Sequence, residues 1–286
     1  MSVKERVVRT GFADVAVAET SGSRLPILLL HGNSSCKEVF HRQLSGPLAS
    51  EHRLIAIDLP GHGKSTNAKD PERTYSWPGY AEAAMAVLAE MGIKQAAVWG
   101  WSLGGHAAIE MIAKFPGLVG VMLSGTPPVS MNMESIQAGF RPNPAVELFG
   151  KEAWSDEEAT MLAHGLYGAG LDDTLLAAMK RTEGRARSML FANLFAGKAS
   201  DQKALVENAP MPVALVDGAD DVVVNTGYVA SLKVRNLWDN HYYLLRGLGH
   251  VAFLTNPEVF NPILSRFAAD MDARALAGAK GRTAAA

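Results

Sequence analysis

A single cysteine, Cys36, is all the thiol chemistry this sequence carries, so an internal disulfide is excluded. That scarcity suits a reducing cytosol. Cys36 reads as a small, semi-buried residue at a helix start, with a reactive thiol as the rival reading. Charge of one sign is also lacking: 27 Lys and Arg stand against 29 Asp and Glu, a net charge of −2. Without a long Lys/Arg run, the electrostatic footprint of a nucleic-acid or anionic-membrane partner is missing. No apolar run approaches the roughly 18–20 residues of a membrane span. The opening, MSVKERVVRT, is charged and has no apolar core of a secretory signal. The expectation is a cytosolic protein with neither a nucleic-acid nor a membrane partner. The glycine spacing of a dinucleotide site and the histidine clusters of metal hydrolases are absent too, so no cofactor and no metal are expected.

What is present is ordinary globular composition, 48% hydrophobic and 20% charged, enough for one large domain or two small ones. Apolar runs predict strands at Val15–Ala18, Pro26–Leu30, Arg53–Asp58, Ala96–Trp99, Gly120–Leu123, Met211–Asp217 and His241–Leu245. Helices are predicted from about Lys37 to Leu48, over Tyr80–Met91, from about Leu103 to Phe115, near Thr226–Val234 and from Pro257, with Asn256 as its N-cap. This alternation predicts an α/β fold with a mostly parallel sheet covered on both faces. From about Val129 to Ala209 it breaks, and apolar residues fall only at helical spacings. Strands resume afterwards, and the C-terminal elements alone cannot bury a core. The stretch is therefore an insertion, giving a core of 1–128 and 210–274 around a helical segment of 129–209. The tail 275–286, ALAGAKGRTAAA, lacks an apolar face and is expected to be frayed or disordered.

The strand Ala96–Trp99 runs into Gly100-Trp-Ser-Leu-Gly104-Gly105. Glycine weakens a strand or helix interior by roughly 0.5–1 kcal/mol relative to alanine, so this clustering signals a backbone requirement. A strand, a serine between spaced glycines and a following helix are the context of the Gly-x-Ser-x-Gly turn, which holds its serine in a strained, exposed position. Ser102 is therefore a candidate nucleophile. A serine hydroxyl needs a base, and the base an orienting acid. Among eight histidines, His250 alone follows the last strand on a loop at the same sheet edge. The acid belongs after an intervening strand, where Asp217, Asp220 and Asp221 stand, and spacing leaves the three open. Asp58-Leu-Pro-Gly-His-Gly-Lys-Ser65 imitates a phosphate-binding loop but has Asp58 where the first glycine belongs, and His62 in it reads as structural.

With these residues in view, the chain resembles the α/β-hydrolases over nearly its whole length. The resemblance implies a mostly parallel eight-stranded sheet with a helical cap inserted after the sixth strand. It selects Asp221, three residues beyond Gly218, as the acid, with Asp220 in reserve. It also implies an oxyanion hole made by the backbone N–H groups of Asn33 and Leu103. Within the family, His31-Gly-Asn-Ser-Ser35, Asp58 to Thr66, Gly100 to His106, Gly125-Thr-Pro-Pro-Val129 and Gly184-Arg-Ala-Arg187 are similar to the metal-independent N-acyl-homoserine lactonases. Those enzymes open the lactone ring of quorum-sensing signals.

For the substrate, Asn33 and Trp101 flank the expected reaction centre. Leu162 falls where that family places an aromatic residue on the substrate amide, with Tyr167 nearby. Met131, Met133, Phe140, Met161, Leu162, Phe191 and Phe195 are candidates for an acyl-chain pocket, or for plain packing of the helical segment. The rival functions are a general carboxylesterase, an amidase on the same substrate, and a ligand-binding receptor on a hydrolase scaffold. The expected partner is a small acyl ester or lactone.

Overall fold

The apolar runs assemble into one eight-stranded sheet. Its strands are β1 (Lys4–Arg9), β2 (Asp14–Glu19), β3 (Arg24–Leu30), β4 (His52–Ile57), β5 (Ala96–Trp101), β6 (Leu118–Ser124), β7 (Val213–Gly218) and β8 (Leu237–Leu245). In space they lie in the order β1-β2-β4-β3-β5-β6-β7-β8. β2 is antiparallel to β1 and β4, and every pairing from β4 through β8 is parallel. This is a computed structural model, and it describes residues 3–142 and 146–284.

Alternate side chains of each strand enter opposite layers, as strand geometry requires. Leu28 and Leu30 join Val98, Val121 and the helices Trp77–Glu90 and Leu103–Lys114 on one face. Ile27 and Leu29 join Trp99, Met122, Phe260 and Phe267 on the other, under the helix Pro257–Ala284. Strands β5, β6 and β7 are buried along their whole length, the signature of a parallel sheet covered twice. Because β3 and β5 to β8 are parallel, the loops after them meet at one edge of the sheet.

Between β6 and β7 lie the helices Met133–Gly139, Val146–Phe149, Asp156–Tyr167, Asp173–Arg181, Gly184–Phe195 and Gln202–Glu207. Among the described residues this stretch holds no strand, only an isolated bridge from Phe140 to Val224. Local caps set its helix starts: Asn132, Asp172 and Asp201 each accept a backbone N–H three residues on, and Ser155 with Glu158 forms a reciprocal capping box.

Three expectations need correction. β1 escapes the apolar pattern because it is an edge strand in which only Val8 is buried. The expected helix from Lys37 to Leu48 is instead a 3₁₀ turn, Lys37–Phe40, and two short helices, His41–Leu44 and Leu48–Glu51. Pro47 follows Gly46 there, lacks an N–H and disfavours helical backbone in the residue before it. The tail expected to be irregular from 275 continues the last helix to Ala284 although Leu276 is 58% exposed, and 285–286 lie outside the described residues. Alanine, lysine and arginine propagate a helix once packing has nucleated it, without further burial. Among the described residues no helix is long and apolar enough to cross a membrane.

Candidate active site

Ser102 sits between β5 and the helix Leu103–Lys114 with φ 54° and ψ −120°. A non-glycine residue held there costs about 1–3 kcal/mol, which the surroundings must impose. Gly104 supplies the reason. A Cβ on it would overlap the Leu30 carbonyl and lie 2.7 Å from the His31 carbonyl oxygen, so the helix start could not close onto the end of β3. A Cβ on Gly100 would overlap the Gly104 backbone, and one on Gly105 the Thr126 side chain. The glycines therefore let three chain segments cross within backbone contact. Ser102 N–H donates to the Ser124 carbonyl (2.9 Å), tying the turn to the end of β6. The serine is left partly exposed, whereas Trp101 and Leu103 beside it are buried.

His250 lies on the loop after β8 and is buried. Its Nδ1 is 2.7 Å from Asp221 Oδ2, which assigns the proton to Nδ1 and leaves Nε2 as the acceptor. Asp221 Oδ1 accepts the N–H groups of Val223 (2.7 Å) and Val224 (3.0 Å). Burial pushes the Asp221 carboxyl up, but the His250 charge and these hydrogen bonds outweigh it and hold the group below the usual aspartate range. Asp220, by contrast, is exposed. Trp101 Nε1 donates to the His250 carbonyl (2.9 Å), and the two rings lie 5.5 Å apart. Gly125, with φ +58°, packs against the same imidazole: a Cβ there would sit 2.7 Å from His250 Cε1.

Among the described hydrogen bonds, the N–H groups of Leu103 and Asn33 have no acceptor. For Leu103 this follows from its place at the first position of a helix. For Asn33 it follows from the turn after β3, in which Ser34 takes φ 54° and Gly32 leaves room for Trp101. That turn is braced from below. His31 Nε2 accepts Leu59 N–H (3.0 Å), and Asp58 accepts both Lys37 N–H (2.6 Å) and Lys37 Nζ (3.2 Å). Cys36, Glu38 and Asp58 come close enough to suggest a metal site. The Lys37 ammonium already pairs with both carboxylates, and burial pushes the Cys36 thiol far up, so that donor set does not suit a cation.

Of the expected substrate contacts, Trp101, Leu162 and Tyr167 are buried and Asn33 is half-buried. Trp101, Leu162 and Tyr167 share one buried cluster, with the Trp101 and Tyr167 rings 6.2 Å apart. The Tyr167 hydroxyl is buried beside that of Ser35, and neither has a further hydrogen-bond partner among the described residues. Asn33 Nδ2 donates to the Phe149 carbonyl (3.3 Å), linking the β3 turn to the helical segment. Met161 does not join them: it is 55% exposed, because neighbouring helix positions point about 100° apart and Leu162 takes the inner face. Met133 and Phe195 are likewise more than half exposed, while Met131, Phe140 and Phe191 pack against the core. The Gly184-Arg-Ala-Arg187 motif proves architectural. Buried Arg187 donates to the carbonyls of Lys151, Glu152 and Thr182 and lies 3.9 Å over the Trp154 ring. His62 is buried against His31 and Tyr80, away from solvent.

This geometry can be set beside known proteins. A crystal structure of the N-acyl homoserine lactonase AidH complexed with N-butanoyl homoserine is 40% identical, covers 94% of this chain and 97% of that one, and superposes with a TM-score of 0.91. A pimeloyl-[acyl-carrier protein] methyl ester esterase of Nitrosospira multiformis is 29% identical over 262 residues, 87% of this chain and 97% of its own. A 2-hydroxy-6-oxononadienedioate/2-hydroxy-6-oxononatrienedioate hydrolase of a Pseudomonas species is 27% identical over 284 residues, 90% and 96% of the two chains. Residues 27–263, from β3 into the last helix, match the pattern that defines the alpha/beta hydrolase family. The chain belongs to that family.

Proposed function

We propose that the protein is a serine hydrolase that opens the lactone ring of N-acyl-homoserine lactones, and so degrades quorum-sensing signals. Ser102 attacks the ring carbonyl, His250 Nε2 takes its proton, and Asp221 holds the imidazole tautomer. The N–H groups of Leu103 and Asn33 receive the oxyanion. His250 then protonates the leaving alkoxide and activates the water that releases the acyl-enzyme. The buried 2.7 Å pair of His250 and Asp221 supports the serine mechanism.

One observation carries the choice of bond. The relative at 40% identity holds N-butanoyl homoserine, the compound that results when a lactone opens and its amide survives. The triad itself is neutral on the point, because His250 can protonate a leaving alkoxide or a leaving amine alike.

Product analysis with N-hexanoyl-homoserine lactone tests the reading. Ring opening adds one water, keeps the acyl chain attached, and is reversed by mild acid. A primary amine, detected by dansylation at the rate of substrate loss, would overturn the lactonase reading and leave the serine mechanism standing.

A further inference from the structure

Asp217, the penultimate residue of β7, has no part in the mechanism above, yet it is a carboxyl group only 3% exposed beside the site. No cation pairs with it among the described salt bridges. Its partners are two neutral donors: Gly125 N–H to Oδ1 at 2.6 Å and the Tyr242 hydroxyl to Oδ2 at 2.9 Å. Burying a carboxylate with so little compensation is costly, so the position calls for an explanation. The Gly125 contact gives one. Gly125 follows β6, its backbone lies against the Nδ1–Cε1 edge of His250, and its neighbour Ser124 accepts the N–H of Ser102.

We propose that Asp217 is a positioning residue that holds the Gly125 backbone as a wall against the His250 imidazole and so fixes where that ring can sit relative to Ser102. Among the described residues, Thr126 Oγ1 reaches the carbonyls of Ser102 and Ser124, and Trp99 Nε1 reaches Ser124 Oγ, but Asp217 alone takes the Gly125 N–H.

The groups facing Asp217 are Tyr242 from β8, Asp221 from the loop after β7, His250 from the loop after β8, and the Gly125 peptide. Burial first, then the nearby Asp221 charge, outweighs the Gly125 and Tyr242 hydrogen bonds and the His250 charge, pushing the carboxyl up to about 7. The anchor therefore carries full charge only above neutrality. An uncharged amide of the same shape can replace it: its oxygen accepts Gly125 N–H while its NH₂ faces the Tyr242 oxygen.

The inference rests on the Ser102–His250–Asp221 reading, and the experiment separates the two. Asp217→Ala, Asp217→Asn and Ser102→Ala are assayed on a p-nitrophenyl ester across pH. The downfield proton resonance of the His250–Asp221 pair is recorded in parallel. Asp217→Ala should lower kcat by roughly ten- to a hundred-fold with KM nearly unchanged, and should shift or broaden the resonance. This is the order of loss when a reacting group is misplaced by about 1 Å. Asp217→Asn should keep kcat within about three-fold and keep the resonance. If Asp217→Ala does not fold, Asp217→Ser, whose hydroxyl falls short of the Gly125 N–H, carries the same expectation. Full activity in Asp217→Ala or Asp217→Ser, or equal losses in Asp217→Asn and Asp217→Ala, would overturn the anchor. Activity surviving in Ser102→Ala would instead overturn the serine mechanism itself.

Discussion

The sheet edge and the helical segment between β6 and β7 are built on different principles. At the edge, backbone lies directly against its neighbours: Gly100 meets the Gly104 backbone, Gly104 the Leu30 backbone, and Gly125 the His250 imidazole. Position there is set by what cannot fit. In the helical segment, long side chains reach across gaps to carbonyl groups. Arg187 spans to Lys151, Glu152 and Thr182, Arg181 to Gly61, and Asn193 to Tyr75. Contacts of the first kind tolerate almost no displacement, which suits reacting atoms. Contacts of the second kind allow the segment to differ in detail while staying docked, which suits a surface that selects among substrates. Chemistry should therefore respond to changes at the edge and selectivity to changes in the segment.

The sharpest way to break that division is at Ser102. Ser102→Ala removes one partly exposed hydroxyl and should fold normally, yet lose on the order of a million-fold in kcat, leaving only the residual catalysis of the oxyanion hole and binding. A fluorophosphonate should label the parent protein stoichiometrically and the variant not at all. Next in size is the acid. Asp221→Asn should lower kcat by about ten-thousand-fold through the wrong imidazole tautomer. Exposed Asp220→Asn should leave it almost unchanged. Comparable losses at both positions, measured on one ester, would mean that the His250–Asp221 bond does not carry the orientation.

The same division decides what could be read from the sequence. Ser102 and the glycines around it were legible because a forbidden Cβ leaves a mark in the residue type itself, and His250 by its place after the last strand. Asp221 needed a resemblance, since Asp217, Asp220 and Asp221 look alike until the fold buries two and exposes one. The Gly125–Asp217 bond joins residues 92 apart in sequence, and no local pattern announces it. β1 was missed because an edge strand with charged faces has no apolar period. In the helical segment, periodicity showed that Met161 and Leu162 belong to a helix without showing which one faces in. The Ser155–Glu158 capping box was a usable signal that fixes that helix start, and with it the inward face.

Arg187 tests the other side of the comparison. Its guanidinium satisfies three carbonyls and covers Trp154 while buried, so no single local contact replaces it. Arg187→Ala leaves those carbonyls unpaired, at about 1–3 kcal/mol for each buried group that water cannot reach. Thermal unfolding should show a clear loss of stability. Because no backbone at the sheet edge depends on Arg187, fluorophosphonate labelling of Ser102 should persist below the new transition, and KM for a long-chain substrate should rise more than kcat falls. A kcat loss as large as that of Asp221→Asn, with KM unchanged, would show that the segment takes part in the chemistry.

The smallest and most selective effect is expected at Tyr167. Its ring packs 6.2 Å from Trp101, and its hydroxyl is buried beside that of Ser35 with no further partner among the described residues. With Ser35 as its one neighbouring hydroxyl, Tyr167→Phe should change stability by no more than about 1 kcal/mol. If that hydroxyl instead waits for the amide of an acyl-homoserine lactone, removing it discards one hydrogen bond, worth about 0.5–1.5 kcal/mol. KM for such a lactone should then rise roughly three- to ten-fold, while a p-nitrophenyl ester without an amide should be hydrolysed as before. The two substrates must part company in this variant. If both lose equally, Tyr167 shapes the pocket through its ring, and selection of the amide belongs to Asn33 or to Ser35, whose buried hydroxyl lies beside that of Tyr167.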